Sequence, residues 1–402
     1  MIRPNDEAVA RIAAVVPVLR EPAMAKEALG LAEGELAHAG PHFPPGEAPP
    51  PVVLNALAGA AVHEGWAGDM EQARRMVLDG EIRLRANHDL GTVSPMAGVV
   101  RPSQRIFRVE DRVSGACTFA TLAEKGRQVL RFGHYGADVA QNLRFVETEV
   151  ADAIANALPA EGLEILPLLR QGVELGDDVH QRNVGGMLAF LAALPRLDAR
   201  VRGWLASHPQ HFLNYAMAAA KLCLGRAKGI SGSTVVTAIS RNGAVCGVQM
   251  AGTGDRWFTA PAGLPVGGFF AGFSLADAHR DLGDSAIMET FGLGGCIAHA
   301  APEIARTMGR SWTDATEAGL RMRNMFVSAL PTITPALAGA GGVGLGLDAR
   351  LIAQSAAGVR IHTGIAHKDG QTGWIGIGVA EAPHACFAAA LEELDRQQVT
   401  LQ

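Results

Sequence analysis

The octet GDDVHQRN at residues 176–183 concentrates side chains that can move protons or bind anions. Only 19% of the chain is charged, so two aspartates, a histidine and an arginine within eight positions are unusual. His180 could act as a general acid or base, while Arg182 and Asn183 could bind an anion or an oxyanion. An Asp pair after a glycine is equally typical of a capped helix start, so a polar first turn is the alternative interpretation.

Six further stretches share this character, because polar residues lie between glycines at the ends of apolar runs. They are 86–98, 211–221, 232–243, 252–263, 283–295 and 362–370. Catalytic groups tend to lie on loops held by a rigid scaffold, and glycine lets the backbone approach a ligand closely. We therefore expect the seven stretches to converge on one positively charged cavity that binds a small anion.

The candidate site residues are those in these stretches that can transfer a proton, carry charge or donate a hydrogen bond. The candidate catalytic residues are His180, His367, Asp178 and Asp284. The candidate substrate-binding residues are His88, Arg182, Asn183, Asn214, Arg241, Asn242, Asp255, Arg256, Ser285, Glu289, His362 and Lys368. The arginines offer a planar fork suited to carboxylate or phosphate, although each could instead form a structural ion pair.

Other site types receive less support from the spacing. His362 and His367 lie five residues apart, which is not the spacing of a helical zinc pair; Asp178 and His180 could still complete a metal site. We expect no metal and no cofactor, but a metal-dependent amidohydrolase stays open as an alternative. Ser285 is not in a G-x-S-x-G elbow, which disfavours a serine hydrolase. Residues 339–344 match G-x-G-x-x-G in the wrong context, and we interpret them as a flexible glycine-rich loop.

Composition limits the classes of protein that need to be considered. The chain has 402 residues, a length that predicts two or three domains. A net charge of −5 and the lack of a basic stripe argue against a nucleic-acid partner. Five scattered cysteines without a C-x-x-C pair fit a reducing cytoplasm, and every apolar stretch of membrane-spanning length contains a charge. We expect a cytoplasmic protein with no membrane contact.

Hydrophobic periodicity predicts an α+β fold, with mixed sheet-containing domains and an inserted helical subdomain. Residues 1–80 form a mainly helical segment with a proline-rich joint at 40–53, and residues 81–145 an α+β segment. Residues 146–229 form the helical subdomain, and residues 230–402 an α+β domain without βαβ periodicity. Strands are expected at 105–111, 116–122, 233–240, 245–252 and 374–382, and helices around 274–282, 296–308 and 312–329. Asn242–Gly243 predicts a type I′ hairpin turn.

The ordered motifs HDLGTVSPMAGVV, LRFGHYGADV, GDDVHQRN, HFLNYAMAAAK, GSTVVTAISRNG, GDRWFTAPA, GDSAIMETFGLGG and HTGIAHK give the chain a family resemblance. Over about residues 55–395 it resembles the AllG/YlbE-like family. The resemblance implies a subunit of oxamate carbamoyltransferase in allantoin breakdown, with an FdrA-like partner subunit. It also implies that residues 1–80 are a reduced form of a nucleotide-binding-like region.

The implied reaction is carbamoyl transfer between an oxalurate-like ureido acid and phosphate, with carbamoyl phosphate and an oxamate-like acid as ligands. Direct attack on the carbamoyl carbon requires no serine or cysteine nucleophile. The S-T-R-T pattern of aspartate and ornithine transcarbamylases is absent, which implies a different fold. A non-catalytic scaffold subunit is a further alternative, and apolar helices at 187–194 and 212–223 could form a homodimer seam.

Overall fold

The α+β prediction is confirmed by the computed structural model of the chain, which describes residues 2–330, 332–333 and 342–400. Its helices are α1 (Pro4–Ala13), α2 (Ala25–Ala28), α3 (Pro51–His63), α4 (Met70–Leu78), α5 (Ala137–Phe145), α6 (Ala151–Ala157), α7 (Leu166–Glu174), α8 (Val184–Ala193), α9 (Ala199–Ala206), α10 (His211–Gly225), α11 (Ile287–Thr290), α12 (Pro302–Thr307), α13 (Trp312–Arg323), α14 (Ala349–Gln354) and α15 (His384–Thr400). A π-helical turn at Val146–Val150 joins α5 to α6.

The strands are β1 (Pro17–Met24), β2 (Glu35–His38), β3 (Arg83–Ala86), β4 (Thr92–Val93), β5 (Val99–Val100), β6 (Arg105–Asp111), β7 (Cys117–Ala120), β8 (Leu163–Glu164), β9 (Val236–Asn242), β10 (Val245–Met250), β11 (Phe258–Pro261), β12 (Val266–Phe269), β13 (Leu282–Gly283), β14 (Phe326–Leu330), β15 (Val343–Leu347), β16 (Val359–Ala366) and β17 (Trp374–Ala382). They form sheets ordered β4-β7-β6-β1-β8, β11-β10-β9-β13, β12-β17-β16, β3-β2-β5 and β14-β15. The pairs β2–β3 and β4–β7 are parallel, and the remaining pairs are antiparallel.

Helix α10 lies at the centre of the largest hydrophobic core and carries two buried polar side chains, Asn214 and Lys221. It packs against β4, β6 and β7 on one side and against α8 and α11 on others. Its residues are buried almost throughout, because a helix that is apolar on every face is stable only inside the protein. Helix α10 therefore fixes the position of β4, β6 and β7 relative to α8 and α11.

Several element predictions need correction. The helix expected at 312–329 ends at Arg323 and is followed by β14, and the helix expected at 274–282 is only a 3₁₀ turn at Leu275–Asp277. After the proline-rich joint, the segment expected to be mainly helical contains two helices and not one, since Asp69 accepts a hydrogen bond from the Gln72 N–H at 2.8 Å and caps the second. Of the expected glycine-rich loop at 339–344, residues 339–341 lie outside the described residues and 343–344 begin β15.

The hairpin and the proline-rich joint also differ from expectation. The register of β9 and β10 pairs Arg241 with Cys246, so the turn is centred on Gly243–Ala244, one residue beyond the predicted position. The joint at 40–53 lies inside a β2–α3–α4–β3 crossover between parallel strands, a βαβ-like unit that the periodicity did not reveal.

A buried ion pair fixes the edge of the β9 sheet. Arg241 is 1% exposed, and its guanidinium binds the Asp281 carboxylate through two contacts of 2.7 and 3.1 Å. It also donates to the Gly283 carbonyl at 2.5 Å, which ties β9 to β13. Arg241 therefore has a structural role here and not the anion-binding role expected from the sequence.

No helix in the described part of the chain is long and apolar enough to cross a bilayer.

We predict that Arg241→Ala lowers the free energy of unfolding by about 3–5 kcal/mol, because it leaves the Asp281 charge buried without its partner. Urea unfolding followed by circular dichroism measures the change. Arg256→Ala is the control, because Arg256 is mostly exposed in its pair with Glu393 and its loss changes stability by less than about 1 kcal/mol. Equal stability of both variants would contradict the structural role of Arg241.

Candidate functional site

Two histidines and two carboxylates form an interlocked cluster at the centre of the candidate site. The His180 Nδ1 lies 2.8 Å from Glu289 Oε1, and the His362 Nδ1 lies 2.6 Å from Asp178 Oδ2. Each carboxylate also accepts the backbone N–H of the other histidine, at 3.1 Å in both cases. All four residues are buried. The two histidine–carboxylate pairs are therefore coupled, because displacing one pair breaks hydrogen bonds of the other.

The loop 176–183 is shaped by the Asp178 side chain. Its Oδ1 accepts the backbone N–H groups of His180, Gln181 and Arg182 at 2.8–3.1 Å. Burial alone would raise the pKa of Asp178, but the hydrogen bond from His362 and these N–H groups hold it below its ordinary value. The tight loop requires Val179 to adopt φ +58°, which is costly for a β-branched residue.

The capping alternative for this loop is partly right. The Asp177 Oδ2 accepts the N–H of Gly186 in the first turn of α8 at 2.8 Å, and its Oδ1 lies 3.3 Å from Arg182 Nε. Burial raises the pKa of Asp177 to about 6. Asp177 thus caps the start of α8, while Asp178 holds the ring of His362.

A glycine turn at 292–295 allows Glu289 to reach His180. Gly294 has φ +57°, and a Cβ at that position would lie 2.0 Å from Glu289 Oε1. The N–H of Gly295 donates to the same oxygen at 2.8 Å. Glycine is required here for both its backbone angle and its lack of a side chain.

His180 forms part of the wall of a cavity of about 290 Å³. The wall also includes Ser285, Asn214 and the cations Lys125, Arg127 and Arg131, and no Asp or Glu side chain of the described residues belongs to it. The Arg127 guanidinium stacks on Phe270 at 3.7 Å, and Lys125 donates to Ser207 Oγ at 2.7 Å. Arg131 is 3.1 Å from Glu124. The cavity therefore carries an excess of positive charge.

Strained backbone coincides with this cavity. Within the described residues, the two non-glycine residues at positive φ are Met96, at +56°, and Val179. Met96 lies in the cavity wall, and Val179 separates Asp178 from His180. Such strain persists only where the surrounding structure over-determines it, and it clusters at functional sites.

The structure brings together about half of the residues selected from the sequence. His180, Asn214 and Ser285 line the cavity, and Asp178, Glu289 and His362 form the hydrogen-bonded cluster that holds His180. Asn183 and Arg182 lie beside it; the Asn183 Nδ2 donates to Gln210 Oε1 at 2.7 Å, and Gln210 is a wall residue.

Asp284 and His88 are buried behind the cavity wall. Both Asp284 oxygens are fully engaged, with the Gly40 and Ser94 N–H groups, the Ser240 hydroxyl and the Asn87 amide. The His88 Nε2 lies 3.6 Å from Asp284 Oδ1. Asp284 therefore joins distant segments of the chain through its hydrogen bonds. It has no free carboxylate oxygen for the catalytic role expected from the sequence.

The other selected residues lie in turns or on the surface. Asn242 caps its own hairpin and donates to the Pro41 carbonyl, while Asp255 pairs with Lys228. Arg256 pairs with Glu393 on α15. His367 and Lys368 belong to a turn, where they contact Asp369 at 2.9 Å and the Ala276 carbonyl at 2.5 Å. None of these five residues belongs to the described cavity wall.

The cations of the cavity come from a stretch that the candidate residues selected from the sequence did not include. Lys125, Arg127 and Arg131 occur within KGRQVLR, around Gly126 at φ +140°. Three positive charges within seven residues next to a glycine were the available signal. His208 also lines the cavity, and burial lowers its pKa to about 2.

Lys221 is a further buried group that the sequence did not single out. Its Nζ donates to the His88 carbonyl at 2.9 Å and lies 3.3 Å from His88 Nδ1. Burial, together with the charge of Lys228, lowers the pKa of Lys221 to about 7. Burial, together with the charge of Lys221, holds the pKa of His88 well below its ordinary value.

Metal-ligating side chains do not converge here in the required number. Across residues 2–330, 332–333 and 342–400, no group of three or more His, Cys, Asp or Glu side chains is arranged so that it could hold a metal ion. The carboxylates of the cluster are directed at histidines and backbone N–H groups.

The chain is similar to a known protein family, to proteins of Escherichia coli and to a solved structure. The family model described as oxamate carbamoyltransferase subunit AllG matches residues 82–285. The chain is 37% identical over 378 residues to oxamate carbamoyltransferase subunit AllG of Escherichia coli, covering 90% of each protein. It is 31% identical to the uncharacterized protein YahG of the same organism, covering 96% of this chain and 84% of that protein. A crystal structure of a conserved protein of unknown function from Enterococcus faecalis is similar, with a TM-score of 0.93 and 31% identity over 98% of this chain and 97% of that one.

We predict that Gly294→Ala destabilises the protein and disorders the His180–Glu289 pair. The left-handed backbone alone costs about 1–2 kcal/mol for alanine, and the clash with Glu289 adds about 1–3 kcal/mol. Gly309→Ala is the matched control, because Gly309 has φ +73° with open space around it. Urea unfolding and the downfield NMR signal of the His180 ring proton report the two effects. Equal losses of stability in both variants would exclude the clash.

We predict that Lys221 makes stability depend on pH. The folded amine loses its proton near pH 7, whereas the unfolded amine keeps it to about pH 10.4, so the unfolded state binds more protons between these values. The free energy of unfolding therefore rises with pH across this window. Wild type gains on the order of 4 kcal/mol relative to Lys221→Met between pH 7 and 10, measured by urea unfolding.

Lys228→Met is the control for this prediction, because Lys228 pairs with the exposed Asp255 at the surface. It retains most of the wild-type pH dependence. A Lys221→Met protein with the same pH dependence as wild type would show that the buried amine keeps an ordinary pKa.

Proposed function

The chain belongs to the AllG family of oxamate carbamoyltransferase subunits, and from this premise we propose that its cavity binds the reactants of a carbamoyl transfer. The ligands are a small ureido or oxamate-type acid and carbamoyl phosphate or phosphate. The role lies in nitrogen recovery from purines through allantoin. The family establishes a carbamoyltransferase-related subunit, and the substrates are the proposal.

The observation that supports this proposal most directly is the charge of the cavity wall. Lys125, Arg127 and Arg131 face a volume of about 290 Å³ without a carboxylate in the described wall. That volume lies at the small end of ligand pockets, which suits molecules of a few non-hydrogen atoms. Both proposed ligands are compact anions, so size and charge agree with the cavity.

His180 is the residue best placed to transfer a proton. Glu289 binds its Nδ1, which places the ring proton on that nitrogen and leaves Nε2 as the base. A carboxylate behind the ring also stabilises the imidazolium that forms when the base accepts a proton. The departing or attacking nitrogen of a carbamoyl transfer needs such a group.

The competing functions receive less support. An amidohydrolase that depends on a metal needs three or four convergent ligands, and the carboxylates of this cluster are occupied by hydrogen bonds within the protein. A purely structural subunit has no need for a buried histidine–carboxylate pair open to a cationic cavity. Catalysis by this chain, alone or within an assembly, is therefore the function that we propose.

We also propose that partner chains complete the enzyme. The word "subunit" in the name of the E. coli relative describes part of an assembly. An FdrA-like partner and a homodimer remain proposals. Of the two helices considered for a homodimer seam, α10 is buried in the core, whereas Leu188 on α8 is 61% exposed. Only α8 therefore remains available for such a contact.

We predict that Arg127→Gln weakens binding of carbamoyl phosphate or oxamate about tenfold, which corresponds to about 1.4 kcal/mol. The loss arises because one charge-assisted contact in the cavity disappears. Isothermal titration calorimetry at low ionic strength measures the affinity. Arg256→Gln, outside the cavity, is the control and binds as wild type does. The proposed cavity is wrong if Arg127→Gln binds normally and Arg256→Gln does not.

A further inference from the structure

Ser285 shares the cavity wall with His180, and its hydroxyl is not committed to the protein. The residue is 2% exposed, so it is reached only through the cavity. No hydrogen bond joins its Oγ to any residue that the structure describes. A buried hydroxyl without a partner is uncommon, because burial of an unpaired polar group is costly. Ser285 is therefore available to a ligand.

Ser285 lies two residues before α11, and Glu289 lies within that helix. The hydrogen bonds from Met288 N to Ser285 O and from Thr290 N to Ala286 O, each 3.0 Å, close the turn between them. Glu289 in turn holds the His180 ring at 2.8 Å. Residues 285–289 thus carry both a hydroxyl of the cavity wall and the carboxylate that holds His180.

Ser285, His180 and Glu289 are residue types that a nucleophilic triad uses. His180 and Glu289 are hydrogen-bonded, whereas Ser285 shares the cavity wall with His180 and makes no hydrogen bond to it. A nucleophile, a base and a residue that orients the base are recognised by their geometry and roles, because the same constellation recurs on unrelated folds and in different chain orders. Here the order along the chain is His180, Ser285, Glu289. The sequence motif G-x-S-x-G describes only one of the folds that present such a serine, so its absence does not remove the residue from consideration.

We infer that Ser285 is a catalytic nucleophile that carries the carbamoyl group as a covalent serine carbamate, with His180 as its base and Glu289 as the positioning residue. The inference rests on the proposed function of the cavity. It replaces direct transfer between the two substrates with transfer in two steps.

In the first step Ser285 Oγ attacks the carbamoyl carbon of carbamoyl phosphate. A bond forms between Oγ and that carbon, and the bond from the carbon to the phosphate oxygen breaks. His180 Nε2 takes the Oγ proton and delivers it to the leaving phosphate. Lys125 and Arg127 compensate the charge of the phosphate as it departs.

In the second step the amide nitrogen of the acceptor attacks the carbamoyl carbon of the serine carbamate. The bond between that carbon and Oγ breaks, and the carbamoyl group passes to the nitrogen. His180 takes the proton from the nitrogen and returns it to Oγ. The serine and the histidine are thereby restored, and no oxidant or further reactant is consumed.

The test uses the full chain with carbamoyl phosphate and no acceptor. Labelled inorganic phosphate is added, and its incorporation into carbamoyl phosphate is followed, because a covalent intermediate permits this exchange and direct transfer does not. Peptide mass spectrometry after acid quenching locates any carbamoyl group. Calorimetry with carbamoyl phosphate measures binding separately.

We expect exchange and a carbamoyl group on Ser285 in wild type, and neither in Ser285→Ala, which still binds carbamoyl phosphate. Ser285→Cys retains labelling as a thiocarbamate. Glu289→Gln slows exchange at least about a hundredfold and moves its half-maximal pH downward, because the imidazolium loses its carboxylate. Ser274→Ala, at an exposed turn, behaves as wild type.

The outcomes separate the two proposals. If carbamoyl phosphate binds but wild type shows neither exchange nor a label at Ser285, the covalent step is overturned and the binding role of the cavity stands. If carbamoyl phosphate does not bind, the proposed function of the cavity fails together with this inference. Labelling that persists in Ser285→Ala assigns the nucleophile to another residue and also overturns the inference.

Discussion

The crossed pairing of two carboxylates with two histidines is the constraint on which the site depends. Asp178 holds the ring of His362 and the backbone of His180, and Glu289 holds the ring of His180 and the backbone of His362. Because each carboxylate is bonded to both partners, a change in one reaches all four. Buried polar networks of this kind are stabilising only when every member is satisfied. The glycines at 294–295 and the tight loop at Val179 are local consequences of that requirement.

The positively charged side chains of the protein fall into two groups: those that form ion pairs within the fold and those that line the cavity. Most arginines form ion pairs: Arg241 with Asp281, Arg101 with Glu64, and Arg256 with Glu393. The stretch at 125–131 differs, because Lys125 and Arg127 have no acidic partner among the described residues and lie at the cavity. An arginine that is matched by a carboxylate holds elements together, while an unmatched one at a cavity attracts anions.

This division explains how far the sequence could predict the site. The α+β class and strands such as β6 and β17 followed from alternation, and the polar stretches at 176–183 and 283–295 contained the cluster. Arg241 and Arg127 look alike in sequence, however, since the partner Asp281 is forty residues away and only the folded chain shows the pairing. Likewise, Asp284 and Glu289 are both acidic residues beside a helical turn. Their different partners, at Gly40 and at His180, are long-range contacts that local pattern does not encode.

The position of His362 on β16 has a consequence for synthesis of the protein. The strand lies far along the chain, whereas the loop that it clamps is made much earlier. A nascent polypeptide emerging from the ribosome therefore exposes His180 and Asp178 without the strand that completes their hydrogen bonds. The hydrogen-bonded cluster can therefore form only after residue 362 has been synthesised.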